Sequence, residues 1–349
     1  MSITELRVTL IRGGTSRAAF LRLSDLPESP DERDRLCLNL IGSPDPQAVD
    51  GLGGGVSSTS KVMAVGTPSE HPDCPAGVDL VSLFAQVSPT EPSVDWSGNC
   101  GNISSAITAF ALHRGLLHAP GDRLTCRVWN ANTDSVLELS HPLVRGRLPD
   151  VGDFHLDGVD TDGARIDVRF LHPGGEKSGL ILPHGPRTVL PGSELEVSLV
   201  DIANPIVMLR AGDVGVDPTR PSAELNADAG LLDRLESIRG EAAVLLGLSG
   251  PVLPRVAIIG RGDQVPVIMT SVGRVHHALP ATGILALGGA IALGGTVADR
   301  PAASETVLRH PKGTVTVSAA VSASGDELEW VALARTARII MDGTARIPR

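Results

Sequence analysis

A lysine that follows a run of hydroxyl side chains is the first residue of this sequence with clear chemical potential. Lys61 comes directly after Ser58-Thr59-Ser60 and directly before the apolar segment 62–65. A lysine that packs against apolar side chains releases its proton more readily than one in water, and it can then act as a base. From the residues alone, a solvated surface lysine is the simpler interpretation, and both interpretations stay open at this point.

A cysteine in a turn of small and polar residues is the second such residue. Cys100 lies in the turn SGNCGN (97–102), directly before the almost uncharged run 103–112. This run has helix length and ends in basic residues followed by Gly115, and without a charged face it is expected to be a buried helix. A helix N-terminus favours an anion and stabilises a thiolate. An inert buried turn is the alternative.

Composition and charge argue against several classes of protein. The 349 residues carry a formal net charge of −10 without a basic block, whereas a nucleic-acid-binding protein needs a basic stripe. The apolar run 284–298 is short of a membrane span, and the N-terminus lacks a signal-peptide pattern. We therefore expect a soluble, cytoplasmic protein that binds neither nucleic acid nor membrane.

The cysteines and the paired histidines do not indicate a metal site. Cys37, Cys74, Cys100 and Cys126 form no CxxC pair, so neither a zinc site nor a disulfide framework is expected. His276 and His277 are adjacent, but no acidic residue or further histidine stands at ligand spacing. The sequence therefore predicts no bound metal.

Short strands separated by turns dominate the rest of the chain, as its 39 glycines and 26 prolines indicate. Segments 6–11 and 18–23 predict a hairpin, while helices are expected at 31–41 and within 217–246. The proline-rich segment 183–191 predicts a division into two domains, residues 1–185 and 186–349.

The second half repeats the plan of the first. The turn PATG (280–283) precedes an uncharged helix-length run at 284–292, as the turn around Cys100 does in the first half. We expect an α+β protein of two pseudo-symmetric domains, each a curved mixed sheet around a central helix. The two helix N-termini would face each other across a cleft and bind an anion.

Five segments carry a resemblance to a known family: RGGTSR (12–17), GSPDP (42–46), DGLGGGVSSTSK (50–61), VDWSGNCGNISSA (94–106) and HHALPATG (276–283). They resemble the signatures of the 2-methylaconitate cis-trans isomerase family, often called the PrpF family, over nearly the whole chain. The resemblance implies a diaminopimelate epimerase-like fold and an enzyme that moves a proton on a small unsaturated di- or tricarboxylate, without metal or organic cofactor. Family members include 4-oxalomesaconate tautomerases, methylitaconate isomerases and aconitate isomerases.

The resemblance also assigns roles to residues. Epimerases of this fold use two thiols, one at each helix N-terminus, but the turn 280–283 has none. Lys61 is therefore the expected catalytic base, and Cys100 either carries a proton or holds the substrate. The remaining candidates would bind the substrate: Thr15, Ser16, Arg17, Ser58, Thr59, Ser60, Asn99, Gly101, Asn102, Asn204, His276, His277, Thr282 and Gly283.

Several alternatives stay open at the level of sequence. Arg17 stands where the family usually has lysine, and the chain is shorter than many members, so the individual substrate is undetermined. The product could arise by cis-trans isomerisation or by a 1,3 shift of the double bond. An amino-acid epimerase or racemase and a non-catalytic carboxylate-binding accessory protein are the competing functions. The sequence does not decide between a monomer and a homodimer.

Overall fold

A computed structural model of the chain describes residues 3–250 and 252–348. Strands outnumber helices in this part of the chain. The strands are β1 Ile3–Gly13, β2 Ser16–Arg22, β3 Lys61–Gly66, β4 Leu80–Val87, β5 Val94–Asp95, β6 Arg123–Asn130, β7 Ser135–Pro142, β8 Ile166–Leu171, β9 Thr188–Val189, β10 Glu196–Ile202, β11 Asn204–Arg210, β12 Arg255–Ile259, β13 Val265–Ser271, β14 Arg274–Val275, β15 Glu305–His310, β16 Gly313–Val321, β17 Leu328–Arg335 and β18 Ala337–Pro348. The α-helices are α1 Pro30–Ile41, α2 Gly101–Ser104, α3 Ile107–His113, α4 Ala211–Val214, α5 Ser222–Leu225, α6 Ala229–Leu245 and α7 Ala281–Leu293.

The chain forms two compact units, which are described separately. Unit 1 comprises the residues up to 168 and those from 334 onward, and unit 2 comprises residues 169–333. These units differ from the division expected at 185/186. The difference at the end of the chain arises because β18 pairs antiparallel with β1, from Ile3 opposite Pro348 to Gly13 opposite Ala337.

The two units share one order of strands. In unit 1, β1 and β2 pair antiparallel, β2 and β3 parallel, β3 and β4 antiparallel, β4 and β6 parallel, and β6 and β7 antiparallel. In unit 2, strands β10, β11, β12, β13, β15 and β16 follow each other with the same alternation of directions. The expected pseudo-symmetric α+β architecture of mixed sheets is therefore confirmed.

The helices occupy matching places in this order. α1 connects β2 to β3, and α6 lies between β11 and β12; α2 and α3 lie between β5 and β6, and α7 connects β14 to β15. α1 begins at a proline with acidic residues in its first turn and ends at Gly42, which has a left-handed φ of 83°. Ala281 to Ala292 of α7 are all buried, as expected for a helix without a charged face.

The helix expected at 103–112 is wrong as a single element. It is broken into α2 and α3 around Ser105. The Ser105 hydroxyl donates to the Asn102 carbonyl at 2.7 Å, and the Ala106 N–H bonds instead to the Ile103 carbonyl at 2.9 Å. A side chain that takes a backbone acceptor in this way competes with the helical ladder. The small polar residues that left this helix uncharged therefore also interrupt it.

Within residues 3–250 and 252–348, no helix is both long enough and apolar enough to cross a membrane.

Candidate active site

Lys61 is buried rather than solvated, with a relative exposure of 7%. It begins β3, and the antiparallel register places Gln86 of β4 directly opposite. The Lys61 Nζ donates a hydrogen bond to the Gln86 Oε1 and lies 5.3 Å from the centroid of the Phe84 ring. The amine is thus held between a polar acceptor and an aromatic face.

The orientation of the Gln86 amide is fixed by the hydrogen bonds of its nitrogen, Nε2. Its Nε2 donates to the carbonyls of Ser57, Ser60 and Val87 at 3.2, 3.0 and 3.2 Å. Three carbonyl acceptors require the NH₂ group, so the amide oxygen must face the lysine. Gln86 therefore positions Lys61 and anchors the preceding loop at the same time.

The hydroxyl run before Lys61 has unequal roles. The Thr59 Oγ1 donates to the Val56 carbonyl at 3.2 Å within the loop. The Ser60 Oγ is buried and has no hydrogen-bond partner in the described part of the chain, while Ser58 is half-buried. Arg17 lies beside this loop, where its Nη2 donates to the Gly53 carbonyl at 3.3 Å.

The hairpin turn between β1 and β2 lies against the start of α2. A Cβ at Gly13 would come within 2.5 Å of the Asn102 carbonyl oxygen, and one at Gly14 within 2.3 Å of the Asn102 Oδ1. The Asn102 Nδ2 donates to the Thr15 Oγ1 at 3.1 Å, and Ser16 is buried at the start of β2. The two glycines of RGGTSR therefore permit a close approach that joins two of the predicted site segments.

The turn around Cys100 is ordered by Asn99. The Asn99 Oδ1 accepts hydrogen bonds from the Cys100 N–H at 2.7 Å and from the Ser104 Oγ at 3.0 Å, whereas its Nδ2 is buried and unpartnered in the described residues. Cys100 is partly exposed, and Gly101 is buried at the first position of α2. The residue before the thiol therefore has an amide donor without an acceptor among the described residues.

The other three cysteines have thiols with raised pKa values. All four cysteines are free. Burial raises the pKa of the Cys37 thiol to about 12 and raises the pKa of Cys126 as well. Burial also raises the pKa of Cys74. These three groups are protonated at neutral pH, so none of them offers a thiolate.

Arg335, the last residue of β17, is a site residue that sequence reasoning missed. Its exposure is 3%, its Nε donates to the Asn102 Oδ1 at 2.9 Å, and its Nη1 donates to the Ala334 carbonyl at 2.9 Å. Burial lowers the pKa of Arg335 to about 10, although the neighbouring Cys100 opposes this shift. Asn102 and Arg335 are 233 positions apart, and no local pattern relates them.

Unit 2 has a polar cluster at the start of α7. The Thr282 Oγ1 accepts hydrogen bonds from the Arg255 Nη1 at 2.7 Å and from the Asn204 Nδ2 at 3.2 Å. The Asn204 Oδ1 is buried and has no partner among the described residues. The structure therefore brings the predicted residues Asn204 and Thr282 together.

Arg255 is the second residue that sequence reasoning missed. It begins β12 next to β11, just as Lys61 begins β3 next to β2. Aligning the two halves of the sequence on these strands could have identified it. Its guanidinium shows that the repeat keeps a cation at this position but exchanges a group that can lose its proton for one that does not.

The paired histidines stack with ring centroids 4.4 Å apart. The His276 Nδ1 accepts from the Ala278 N–H at 3.0 Å. Burial of the ring, and then the charge of Lys312, lowers the pKa of His277. Burial thus favours the neutral form of the His277 ring in the absence of a ligand.

Position 283 requires a glycine for packing, because a Cβ there would lie 2.3 Å from the Met269 Sδ.

Among the residues that the structure describes, no group of three His, Cys, Asp or Glu side chains is arranged to hold a metal ion.

The fold and the two clusters define the class of protein. Each unit places a cationic side chain at the start of the strand that pairs parallel with its neighbour, and each has polar side chains at the start of a buried helix. Unit 1 also places an amine, Lys61, and a free thiol, Cys100, side-chain types that serve as acids and bases in enzymes. This combination is that of a proton-transferring enzyme of the epimerase-like α+β fold.

Comparison with known proteins gives the family. The profile described as PrpF protein matches residues 3–348. The 2-methyl-aconitate isomerase of Shewanella oneidensis is 34% identical over 98% of this chain and 96% of its own length. The 4-oxalomesaconate tautomerase of Pseudomonas putida is 34% identical over 100% of this chain and 98% of its own. The chain belongs to the PrpF family, and it is an isomerase.

Solved structures agree with this assignment. The crystal structure of methylitaconate-delta-isomerase has a TM-score of 0.83 and 30% sequence identity, with 99% of this chain and 96% of that chain covered. A hydroxyproline epimerase from Agrobacterium vitis has a TM-score of 0.59 at 12% identity over 98% of this chain and 92% of its own, which shows a shared fold alone.

Proposed function

We propose that this protein isomerises a small unsaturated di- or tricarboxylate of the 2-methylaconitate, aconitate or 4-oxalomesaconate type, without a cofactor. The observation that carries the proposal is the environment of Lys61. Its amine is buried, fixed by Gln86 and bordered by Phe84, in a chain whose named relatives isomerise such acids.

The reaction follows from one proton transfer and its reversal. The neutral Lys61 amine removes a proton from an allylic carbon next to a carboxylate, and the electron pair spreads over the resulting dienolate. The proton then returns from Nζ. Return to the same carbon after bond rotation gives cis-trans isomerisation, and return to the far carbon gives a 1,3 shift of the double bond.

The negative charge of the dienolate requires donors. In unit 1 these are the open Asn99 amide, the Ser60 hydroxyl and the side chains of Thr15 and Asn102. Preorganised donors aimed at developing charge supply a large part of the stabilisation in such sites. Because α2 has only four residues, the dipole expected at Cys100 contributes less than the sequence suggested.

The substrate carboxylates also need local cations, because the net charge of −10 opposes long-range attraction of an anion. In unit 2, Asn204, Arg255 and Thr282 form a second polar cluster at the start of α7, and we propose that this cluster binds a carboxylate together with the first N–H groups of the helix. This helix has 13 residues and no side-chain cap at its N-terminus. Its free N–H groups therefore favour an anion.

Cys100 has two roles open to it. It would either return the proton on the face opposite Lys61 or contact the substrate without exchanging a proton. A Cys100→Ser variant that keeps its turnover number assigns it the second role.

A panel of acids tests the proposed function. The purified protein is incubated in D₂O with trans-aconitate, 2-methylaconitate and 4-oxalomesaconate and followed by ¹H NMR. We expect deuterium uptake and isomerisation of at least one acid. Folded protein that exchanges no proton of any of them would overturn the proposal, and tight binding without exchange would indicate an accessory protein.

The epimerase alternative is disfavoured by the comparison of the two units. The start of α7 carries Pro280 and Ala281 where the start of α2 carries Cys100 and Gly101, so the second thiol is missing. Loss of optical rotation from an L-amino acid such as hydroxyproline would support that alternative.

Two further parts of the proposal concern the setting of the enzyme. The four free cysteines support a reducing compartment, and we propose a cytoplasmic location without nucleic-acid or membrane partners. A homodimer is a proposal that a measurement of the mass in solution tests directly.

A further inference from the structure

Arg335 is a buried cation without a carboxylate partner in the described part of the chain, and the neighbouring group that raises its pKa is the Cys100 thiol. Its two hydrogen bonds go to the neutral oxygens of Asn102 and Ala334. Within residues 3–250 and 252–348, no carboxylate forms an ion pair with it. Removing a charge from water costs several kcal/mol unless an opposite charge compensates. A fold that retains such a group indicates that an anion completes the site.

The donors of Arg335 are only partly used. The two hydrogen bonds employ two of the five N–H groups that every arginine carries. The Nη1 has a hydrogen-bond partner, and the Nη2 is not a buried atom that lacks one. The Nη2 and the second proton of Nη1 therefore remain for a ligand, and this pair has the geometry that a carboxylate accepts in a bidentate manner.

The other arginines near the hairpin turn have structural tasks. The Arg12 Nη1 donates to the Gly14 carbonyl and to the carbonyl and hydroxyl of Thr336, each at 3.0 Å. Arg17 holds the glycine loop through the Gly53 carbonyl. Arg335 differs from both because its free donors lie beside Asn102 and Cys100, where the proposed substrate binds.

We propose that Arg335 binds one carboxylate of the substrate through its two terminal nitrogens, next to Cys100 and Asn102. This inference rests on the proposed function and names the specificity contact of unit 1. Asn102 is the intermediary that fixes the guanidinium plane through the Nε bond, while its own amide nitrogen is held by Thr15. The contact favours substrates with a carboxylate at a fixed distance from the carbon that loses its proton.

Binding of propane-1,2,3-tricarboxylate tests the proposal without turnover, because this saturated acid has no double bond to move. Its affinity is measured by calorimetry for the wild type, Arg335→Gln and Arg335→Lys. We expect Arg335→Gln to weaken binding and to raise KM by about 10- to 100-fold, with a smaller effect on kcat. Arg335→Lys keeps the charge but loses the planar fork, so we expect an intermediate affinity.

Thermal unfolding and a matched charge control separate binding from a structural role. The Tm of Arg335→Gln without ligand should equal or exceed that of the wild type, because the variant relieves an uncompensated charge. Arg338→Gln removes an exposed positive charge three positions away and should bind the acid as the wild type does. In the wild type, the acid should also slow alkylation of Cys100 by iodoacetamide, and this protection should be lost in Arg335→Gln.

Arg335→Gln that binds the acid as tightly as the wild type, in an enzyme that still isomerises, overturns this inference alone. A Tm that falls while ligand affinity is unchanged assigns Arg335 a structural role and also overturns it. If Arg335→Gln does not fold, the affinity of Arg335→Lys decides, since wild-type affinity in that variant contradicts the bidentate contact. Failure of the wild type to exchange protons with any acid refutes the proposed function instead.

Discussion

At the scale of single residues, the chemistry depends on how one amine is held. In the proposed reaction Lys61 is the proton acceptor, and its hydrogen bond to Gln86 determines where its amine lies. Gln86 can do so because three backbone carbonyls fix its amide nitrogen, which leaves the oxygen for the lysine. A positioning residue of this kind is expected to affect turnover more than substrate affinity.

Gln86→Leu should therefore lower kcat by about 10- to 100-fold, because a misplaced reacting group costs roughly this much, with a smaller rise in KM from the loop that Gln86 anchors. Steady-state kinetics with an acid of the panel measure both constants. Gln47→Leu, at an exposed position, serves as the control and should have wild-type kinetics. A Gln86→Leu variant with unchanged kcat would contradict the positioning role.

The sequence alone identified two residues of this candidate site and did not identify two others. Lys61 and Cys100 were recognisable because each follows an unusual run of small or polar residues. Gln86 could not be identified, because its role depends on the strand register opposite Lys61. Arg335 could not be identified either, because β17 and α2 are distant in sequence and meet only after folding.

At the scale of elements, the glycine hairpin turn determines how close β1 and β2 come to α2. Gly14 has a left-handed φ of 51°, and its Cβ position is already occupied by the Asn102 Oδ1. A side chain here would push away the amide that orients both Thr15 and Arg335. The turn is thus part of the site although it supplies few polar atoms.

Gly14→Ala should lower the free energy of unfolding by about 2–4 kcal/mol, combining the cost of the left-handed backbone with that of the steric clash. Gly77→Ala is a matched control, since Gly77 also has a positive φ of 83° but nothing lies within 4 Å of its Cβ position. It should lose only about 1–2 kcal/mol. Equal losses in urea unfolding of the two variants would show that the clash is not significant.

His141 connects α3 to β7, since its Nε2 lies 3.0 Å from the Thr108 Oγ1. Burial lowers the pKa of His141, so the unfolded chain binds a proton more readily than the folded one. Stability should therefore fall as the pH drops below about 6.5. Urea unfolding between pH 7.5 and 5.5 should show a weaker pH dependence for His141→Gln than for the wild type or the exposed control His118→Gln. Identical pH profiles would refute this role.

The sequence predicted the helices and the hairpin, but it did not predict the break between α2 and α3. The hairpin, α1, α6 and α7 follow from alternation, caps and apolar spacing that are local in the sequence. The break between α2 and α3 depends on which acceptor the Ser105 hydroxyl selects, and this is decided by the fold around it.

At the scale of the whole molecule, the two halves keep one strand order but not one chemistry. Lys61 in unit 1 and Arg255 in unit 2 begin equivalent strands, and a lysine loses its proton far more readily than an arginine does. Cys100 has no thiol counterpart at the start of α7. The internal repeat was visible in the sequence, whereas the return of β18 to unit 1 was not, because strand pairing over this distance leaves no local pattern.

A substitution of Asp342 in β18 tests how much the pairing of β18 with β1 contributes to stability. Burial alone would raise its pKa, but hydrogen bonds from Arg7, and then from Thr9 and His113, lower the pKa of Asp342 to about 2. The stability that it contributes is present above about pH 4 and is lost as the pH falls towards 2. Asp342→Asn should therefore cost about 1–2 kcal/mol at pH 7 and about half as much at pH 3. Asp31→Asn, at an exposed position, should cost little at either pH, and an equal effect of the two variants would contradict this pairing.

The central claim is that Lys61 moves the proton, and deuterium uptake by the preferred acid of the panel measures this most directly. In D₂O, the wild type should introduce deuterium at the allylic position as it isomerises the acid. Folded Lys61→Ala should lose both activities together, by about 10²- to 10⁴-fold, while it still binds propane-1,2,3-tricarboxylate. A Lys61→Ala variant that exchanges and isomerises at the wild-type rate would contradict the claim.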